Sequence, residues 1–592
     1  MLDPAARRQA LEERVPEWPR RTLATHFESA CREFAERPFL LLEGGELSYA
    51  DVWARAQDLA RALLALGVER RQHVAVLMAN VPEFVTLKLA ISLVGAVCVP
   101  LNSMLRRDEL AYVLDQSDAR WLFLHQTIGG NRAAEAVQDI FAEVPEEVRL
   151  GVVCIPTENG AIDPTFVTWD AFKAMAGSAT PEELARRRAL SEYPDEVSDI
   201  IYTSGTTGHP KGVLLTHDML LRCAFSSALS RAFQDGRRIF TALPLYHVFA
   251  YVEGLLASSF VGGAMVITPG FSPRGALQLI QQHRASDCLA VPSMVVAMLN
   301  DAERDRFDTS SLHALMCAAA PTPVPVWQAA VEAFGVQELC TGYGGTEATA
   351  ATVHTEIGDP IERVATRVGR IKPGGSSGLS EFGGANSQYK VVDPFTGQDL
   401  EEGATGELAV RGNFVTHGYY DKPEETAAVI DKDGWFRTGD LGRMDENGYI
   451  EFMGRSNEMY KVSGENVSPK EVEEAISQHP AVSQVYVVGI PDSMTTEAGA
   501  AFVELKPGES AERKDIVEWC QQRLARFKVP RRVWFVDASE WPMTGTGKIQ
   551  KFKLRHMAEQ NLGGSRPAAL GTAQEQGERR ADLAADGDEP RA

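Results

Sequence analysis

The sequence predicts an α/β protein with a large, multi-subdomain N-terminal domain and a small α+β C-terminal domain. Between about residues 45 and 125, segments of helical spacing alternate with compact apolar runs, and the composition changes near Gly454. Alternating helices and strands are typical of sheets covered by helices. At roughly 100–200 residues per domain, the chain of 592 residues is long enough for several lobes.

The first well-marked helix is predicted after Ser48. Ser48 and Asp51 have the spacing of a capping box, and apolar residues then recur at helical spacing until Gly67. Short apolar runs at His73–Met78 and 96–99 predict buried strands. Further strands are predicted at 199–202, 264–268 and 388–392.

The C-terminal domain is predicted to contain a helix after Ser468. Pro469 suits the first helical position, and Glu471 stands where a capping box places its reciprocal carboxylate. Strand-like runs follow at 485–488 and 501–505. Residues 561–592 are rich in Ala, Gly, Glu and Arg and predict a disordered tail.

Charge and composition exclude several classes of protein. The 59 Lys and Arg residues against 81 Asp and Glu residues give a net charge of −22, which argues against a nucleic-acid partner. The eight cysteines form no CxxC pair, which indicates a reducing compartment. The most apolar run, 87–99, contains Lys88 and is shorter than the ~20 residues of a membrane span. We therefore expect a cytoplasmic protein without a transmembrane segment.

The segment from Asp199 to Lys211 places a strand before a loop of glycines and threonines. Residues 203–212 read Thr-Ser-Gly-Thr-Thr-Gly-His-Pro-Lys-Gly. Small residues let backbone amides approach an anion closely, and Lys211 adds a positive charge. The loop is not a Walker loop, because it lacks the four-residue gap and the Ser or Thr after the lysine. It predicts a polyphosphate cradle; the alternative is a Gly/Thr-rich connection with an incidental lysine.

Nine fixed positions of this loop match one family pattern, which chance would produce on the order of once in 10¹¹ sites. Here the sequence closely resembles the acyl-adenylate-forming superfamily, which includes acyl-CoA synthetases, peptide-synthetase adenylation domains and luciferases. The resemblance covers roughly residues 25–555. It implies that the β- and γ-phosphates of ATP are held by Thr203, Ser204, Gly205, Thr206, Thr207, Gly208 and Lys211.

Two further segments resemble the nucleotide site of the family. Within 342–347, the resemblance implies that Tyr343 stacks near adenine, Thr346 contacts phosphate and Glu347 holds Mg²⁺. A carboxylate that shares a hard cation with phosphates is chemically reasonable. Asp440 matches the family residue that bonds the ribose hydroxyls. Arg455 matches the family residue that reaches the ribose or the phosphate. Taken singly, each segment could be an ordinary turn.

The acyl side of the site is less sharply marked. His247 resembles the residue that packs beside the carboxylate being activated, and Ala319 lies in a stretch similar to the loop that lines the adenine and acyl sites. A lone His is also commonly a satisfied core residue. Glu253 could meet a polar substituent of the acid, although a place at a helix edge is the simpler interpretation.

The C-terminal domain resembles the mobile cap of the family. The resemblance implies an adenylation domain over 1–455, a hinge at 456–458 centred on Asn457, and a cap over 459–560. Lys548 matches the lysine that neutralises charge during adenylation; an exposed lysine in a turn is the alternative. The loop predicted to guide the coenzyme A thiol contains Lys461, Ser463, Gly464 and Glu465.

The leading hypothesis is an ATP- and Mg²⁺-dependent carboxylic acid:CoA ligase that acts on a fatty or similarly apolar acid, with coenzyme A as co-substrate. A second hypothesis is an acyl-AMP ligase that serves a separate carrier protein, because the stretch Gly374–Ala385 is longer than usual. A non-catalytic acyl-nucleotide binder and a luciferase-like oxygenase are weaker alternatives. The identity of the acid and the oligomeric state are left open.

Overall fold

The computed structural model describes residues 3–157, 162–203, 209–455, 458–462, 465–492, 494–544 and 549–560. The chain divides into two compact units, one up to Phe452 and one from Met453 onward. The units are mixed α/β, a large N-terminal one and a small C-terminal one, so the predicted fold class is confirmed. The finer boundaries at 455, 456–458 and 459–560 stay predictions.

The helices of the first unit, in chain order, are α1 Pro4–Arg14, α2 Leu23–Phe34, α3 Tyr49–Ala65, α4 Pro82–Leu93, α5 Arg107–Gln116, α6 Ala133–Glu143, α7 Trp169–Ala174, α8 Pro181–Ala189, α9 His217–Ser230, α10 Val248–Ala250, α11 Ala257–Ser259, α12 Pro273–His283, α13 Pro292–Leu299, α14 Val324–Phe334, α15 Ile361–Thr366 and α16 Pro423–Val429. Between α10 and α11 the chain continues as a π-helix, Tyr251–Leu256. The helices of the second unit are α17 Pro469–Ser477, α18 Arg513–Gln521 and α19 Lys551–Gln560.

The strands up to β21, which crosses the boundary between the units, are β1 Pro38–Leu42, β2 Gly45–Ser48, β3 His73–Leu77, β4 Val97–Pro100, β5 Trp121–His125, β6 Gly151–Ile155, β7 Val167–Thr168, β8 Val197–Thr203, β9 Lys211–Thr216, β10 Arg238–Thr241, β11 Ala264–Ile267, β12 Asp287–Ala290, β13 Ala314–Cys317, β14 Glu338–Cys340, β15 Gly342–Gly344, β16 Ala351–His354, β17 Arg370–Ile371, β18 Ser387–Val392, β19 Gly406–Gly412, β20 Phe436–Met444 and β21 Ile450–Arg455. The second unit adds β22 Tyr460–Val462, β23 Glu465–Val467, β24 Val482–Asp492, β25 Thr496–Leu505 and β26 Arg532–Phe535.

Two seven-stranded sheets form the first unit, in the orders β14-β13-β12-β10-β11-β1-β2 and β7-β6-β5-β3-β4-β8-β9. Each is parallel except for one antiparallel edge pair, β1 with β2 and β8 with β9. A large apolar core packs between helices and sheets, as expected for parallel strands covered on both faces. Smaller sheets, β15-β16-β17 and β18-β19-β20-β21, follow.

The second unit is a mixed sheet, β23-β22-β25-β24, with β26 parallel to β25. Helices α17 and α18 and the sheet share one apolar core, and α19 closes a second. In the described part of the chain, every helix is too short or too polar to cross a bilayer.

The predicted capping box at Ser48 is confirmed, because its Oγ accepts the Asp51 N–H at 3.0 Å and Asp51 accepts the Ser48 N–H at 2.9 Å. The box predicted at Ser468 is wrong, although the helix does begin at Pro469. The Ser468 hydroxyl donates to the Met453 carbonyl at 2.6 Å, and Glu471 pairs with Lys528. Both side chains therefore bond residues outside the helix, and the local capping bonds do not form.

The glycine-rich stretch Gly374–Ala385 forms a compact, tightly packed loop. A Cβ on Gly378 would lie 2.0 Å from the carbonyl oxygen of Gly384, so only glycine permits this approach. Arg222 of α9 donates a hydrogen bond to the carbonyl oxygen of Ser377 within this loop. The stretch therefore packs on helix α9 of the first unit.

Candidate functional site

The predicted phosphate loop connects two antiparallel strands. Thr203 ends β8, Lys211 begins β9, and the two residues face each other in the register of this pair. A Walker loop leads from a strand into a helix, so this connection is of a different kind. Ser204, Gly205, Thr206, Thr207 and Gly208 lie outside the described residues.

Strand β8 is anchored at its base by a buried ion pair. Asp199 is fully buried and pairs with Lys88 of helix α4. Burial lowers the pKa of Lys88, but the Asp199 carboxylate and the Cys98 thiol together outweigh that effect, and the net shift is upward. The pair fixes the strand that leads into the predicted phosphate loop, because an unpaired buried charge would be costly.

Lys211 and Glu347 approach opposite parts of one tyrosine. The Tyr419 hydroxyl donates to Oε1 of Glu347 at 3.1 Å, and Nζ of Lys211 lies 5.0 Å from the centre of the same ring. The Glu347 carbonyl oxygen also accepts the Thr416 N–H at 2.8 Å. The structure thus brings the predicted phosphate lysine and the predicted metal carboxylate to one residue that the sequence did not single out.

A tight bulge carries Glu347 and Thr346 to this position. The pairing of β15 with β16 shifts in register after Tyr343. A Cβ on Gly344 would lie 1.9 Å from the carbonyl oxygen of Ala350, so a larger residue would push the two chains apart. Thr346 is buried in the turn that follows, whereas Glu347 is half-buried.

Tyr343 and Asp440 form a direct hydrogen bond. The Tyr343 hydroxyl donates to Oδ2 of Asp440 at 2.6 Å, and its ring lies 5.7 Å from that of Phe452. Burial raises the pKa of Tyr343 well above its usual value, and the Asp440 charge raises it further. The predicted adenine and ribose residues therefore lie together, on β15 and β20.

The predicted acyl residues His247 and Ala319 line one small cavity of about 10 Å³. Its walls are Leu243, Pro244, His247, Phe249, Ala250, Val291 and Ala319. Nδ1 of His247 accepts the Phe249 N–H at 3.2 Å, so a neutral ring carries its proton on Nε2. Ala319 has a positive φ of 71°, a strained conformation for alanine that occurs preferentially at functional positions.

The expectation for Glu253 is wrong in one respect, because the residue is not at a helix edge. It is fully buried in the π-helix 251–256, where Lys372 lies 3.4 Å from its Oε1 and His354 lies 3.4 Å from its Oε2. Burial raises the pKa of the Glu253 carboxyl, but Lys372 and His354 outweigh burial and the net shift is downward. The sequence could not show this, because Lys372 is more than a hundred residues away.

The other predicted residues belong to the C-terminal segment of the chain. Arg455 is the exposed last residue of β21, and exposed Lys461 lies on β22, where its backbone N–H donates to Glu497 at 2.8 Å. Glu465 begins β23. Asn457, Ser463, Gly464 and Lys548 lie outside the described residues.

Comparison with known proteins identifies the family. Residues 27–420 match the AMP-binding enzyme family, and residues 471–548 match the AMP-binding enzyme C-terminal domain. The chain belongs to the AMP-binding enzyme family. It is thus a member of the acyl-adenylate-forming superfamily, as the loop pattern at 203–212 predicted.

Relatives of this AMP-binding enzyme are CoA ligases. It is 32% identical over 538 residues to a methyl-dioxo-octahydroindenyl-propanoyl:CoA ligase of Mycobacterium tuberculosis, covering 91% of this chain and 99% of the relative. It is 29% identical to the mitochondrial medium-chain acyl-CoA ligase ACSF2 of Bos taurus, and the match covers 88% of this chain and 84% of the relative.

A similar solved structure is that of the anthranilate CoA ligase AuaEII in complex with anthranoyl-AMP, with 27% identity, a TM-score of 0.80, and 92% and 99% of the two chains covered. The enzyme is therefore an AMP-forming carboxylic acid:CoA ligase, with ATP and coenzyme A as co-substrates.

Tyr419 is the residue of this AMP-binding enzyme that sequence reasoning missed. It contacts Lys211 because Val213 and Tyr419 form an isolated β-bridge across a long separation in sequence. A Tyr-Tyr pair after Gly418 carries no chemical signal of its own. Only the pairing of β9 with this segment reveals the contact.

Proposed function

We propose that this ligase activates an apolar carboxylic acid, such as a fatty acid, as an acyl adenylate with release of diphosphate, and then transfers the acyl group to coenzyme A. The observation that carries the proposal is that Tyr419 contacts both groups, with Lys211 over its ring and Glu347 at its hydroxyl. A cation and an oriented carboxylate at the end of a phosphate-loop hairpin suit a magnesium–triphosphate complex.

Glu347 fits a role as the Mg²⁺ ligand. Mg²⁺ in nucleotide sites is usually held by one or two carboxylates together with phosphates and water. Among the described residues, no cluster of three or more His, Cys, Asp or Glu side chains could hold a metal ion by itself. When bound, the ion would neutralise negative charge on the phosphates. The Tyr419 hydroxyl holds the Glu347 carboxylate in one orientation for that role.

In the first step Lys211 and the phosphate loop would orient the β- and γ-phosphates. The carboxylate of the acid attacks the α-phosphorus and the bond to the diphosphate oxygen breaks, so that diphosphate leaves. Asp440 would accept hydrogen bonds from the ribose hydroxyls, and Tyr343 would stack near adenine. Lys548 would stabilise the charge that develops at the α-phosphate.

His247 would hold the carboxylate that is activated. In a neutral ring the proton is on Nε2, because Nδ1 accepts the Phe249 N–H. The cavity beside it is walled by Leu243, Val291 and other apolar side chains. Transfer of an apolar acyl group from water into such a cavity carries no desolvation penalty. A charged group would lose its hydration there and find no partner in the apolar walls.

In the second step the coenzyme A thiolate would attack the acyl carbonyl and AMP would leave. We assign the rearrangement between the steps to a hinge at Asn457, and guidance of the thiol to Lys461 and the loop 463–465. The family resemblance supports both assignments. Transfer to coenzyme A is favoured over a carrier protein because the relatives are named as CoA ligases. A cytoplasmic location stays a prediction.

A panel of carboxylic acids tests this function. The purified enzyme is incubated with each acid, ATP and Mg²⁺, with and without coenzyme A, and the products are identified by mass spectrometry. We expect AMP and diphosphate with apolar acids, and an acyl-CoA only when coenzyme A is present. Failure of every acid to yield AMP and diphosphate would reject the proposal, and thioester formation on a carrier protein alone would favour the acyl-AMP ligase.

A further inference from the structure

Residues 242–246 connect strand β10 to His247 and form neither helix nor strand. Leu243 and Pro244 line the small cavity that His247 and Ala319 also line. The His247 N–H donates to the carbonyl oxygen of Pro244 at 3.1 Å, so the position of His247 depends on the course of this short segment. A buried segment outside regular structure needs partners from elsewhere in the fold for its backbone groups.

A buried asparagine from the other seven-stranded sheet binds the backbone of this segment at two points. Asn80 follows strand β3 and is 6% exposed. Its Nδ2 donates to the carbonyl oxygen of Leu243 at 2.8 Å, and its Oδ1 accepts the Leu245 N–H at 2.8 Å. An amide supplies both a donor and an acceptor, whereas a carboxylate only accepts and an aliphatic side chain does neither. The two bonds therefore require an amide at this position.

A second asparagine of the same sheet holds the next side chain of the segment. Asn102 follows strand β4, and its Oδ1 accepts a hydrogen bond of 2.8 Å from the hydroxyl of buried Tyr246. Strand β4 pairs with β3 and with β8, which leads into the predicted phosphate loop. Ligands of parallel α/β sheets bind beyond the carboxyl ends of the strands, and these residues lie at such ends.

We propose that Asn80 is a positioning residue for adenylation. By tying the segment before His247 to the strands that neighbour β8, it sets the activated carboxylate relative to the nucleotide, and the Tyr246–Asn102 bond supports it. Displacement of a reacting group by about 1 Å can cost roughly 100-fold in rate. This inference rests on the proposed function and adds a residue to its first step.

The test compares the two half-reactions in Asn80→Ala. Straight-chain acids from acetate to dodecanoate, and benzoate, are first assayed with the wild type by diphosphate release, and the acid of highest kcat/KM is used throughout. We expect Asn80→Ala to lower kcat/KM for this acid roughly 100-fold and to leave the KM for ATP unchanged. Thioester formation from the synthetic acyl adenylate should change little, because there the acid is already bonded to the nucleotide.

Tyr49→Phe is the matched control. It removes a buried hydrogen bond of 2.7 Å to the carbonyl oxygen of Gly263, which precedes β11 and so lies at the opposite end of the parallel strands β10 and β11. This variant should unfold at a lower temperature and keep the kcat/KM of the wild type. Thermal unfolding also checks that Asn80→Ala is folded.

Equal loss of both half-reactions in folded Asn80→Ala would overturn the inference, because a merely structural defect affects both. An unchanged kcat/KM for the acid would overturn it as well. If Asn80→Ala does not fold, Tyr246→Phe, which removes only the bond to Asn102, decides by the same two readouts. If no acid releases diphosphate with the wild type, the proposed function itself fails.

Discussion

The Tyr419 hydroxyl donates a hydrogen bond of 3.1 Å to the carboxylate of Glu347. The same ring lies 5.0 Å from the Lys211 ammonium group. One tyrosine therefore orients the carboxylate that we assign to Mg²⁺ and restrains the lysine that we assign to the phosphates. The two groups act on the same nucleotide, so we expect their common contact to influence its binding.

Replacement of Tyr419 by Phe removes the hydrogen bond and keeps the ring under Lys211. Partners that orient a metal ligand typically contribute 10- to 100-fold in metal affinity, so we expect the Mg²⁺ concentration for half-maximal diphosphate release to rise roughly tenfold. Tyr420→Phe is the matched control, because that hydroxyl bonds Asp118 at an exposed site. Equal Mg²⁺ dependence in the two variants would contradict the role of Tyr419.

Removal of Asp199 leaves Lys88 buried without its charge partner. We expect Asp199→Ala to lower the free energy of unfolding by about 3–5 kcal/mol, whereas Lys88→Met/Asp199→Leu should recover most of that loss. Urea unfolding followed by circular dichroism measures both. If the single variant is as stable as the double one, the pair does not anchor strand β8.

Acid should destabilise the first unit through His354. Burial lowers the pKa of His354 from 6.5 to about 4; the Glu253 carboxylate opposes the shift, and Lys372 and Arg231 add to it. The folded protein therefore holds this ring neutral, and the unfolded chain binds a proton first. The contribution of the neutral His354 ring to the free energy of unfolding is fully present above pH 6.5. It is lost as the pH falls toward 4, and the loss is roughly 3 kcal/mol.

Urea unfolding at neutral pH and near pH 4 measures this loss, and His354→Gln should reduce it. His217 is also buried, with a pKa lowered to about 3, so part of the acid sensitivity should remain in the variant. An unchanged pH dependence in His354→Gln would show that the ring does not contribute.

Lys548 is proposed to act in adenylation alone. Lys548→Ala should reduce ATP–diphosphate exchange by at least the roughly 100-fold typical of a lost electrostatic contact in a transition state. Formation of acyl-CoA from a synthetic acyl adenylate should persist, because that step needs no contact with diphosphate. Lys553→Ala, at an exposed position of α19, is the control for exchange. Equal loss of both half-reactions in Lys548→Ala would refute the separation of roles.

Motifs of adjacent residues could be predicted from the sequence because their chemistry is local. The loop at 203–212, the segment 342–347 and the capping box at Ser48 each need a fixed order of neighbours, and most predicted strands lie within a few residues of the observed ones. The Ser468 cap failed where Met453 and Lys528 offered partners from outside the helix. A local pattern names the possible bonds, but competing partners decide which bonds form.

The sequence by itself determined the family, the order of the two domains and the residue types that can bind a nucleotide, because these depend on short runs with fixed spacing. Only the tertiary structure decided that Tyr419 contacts both Lys211 and Glu347 and that Lys372 pairs with the buried Glu253. Such pairs form between residues far apart in the chain. Their energies depend on burial and distance, which exist only once the sheets and helices have packed.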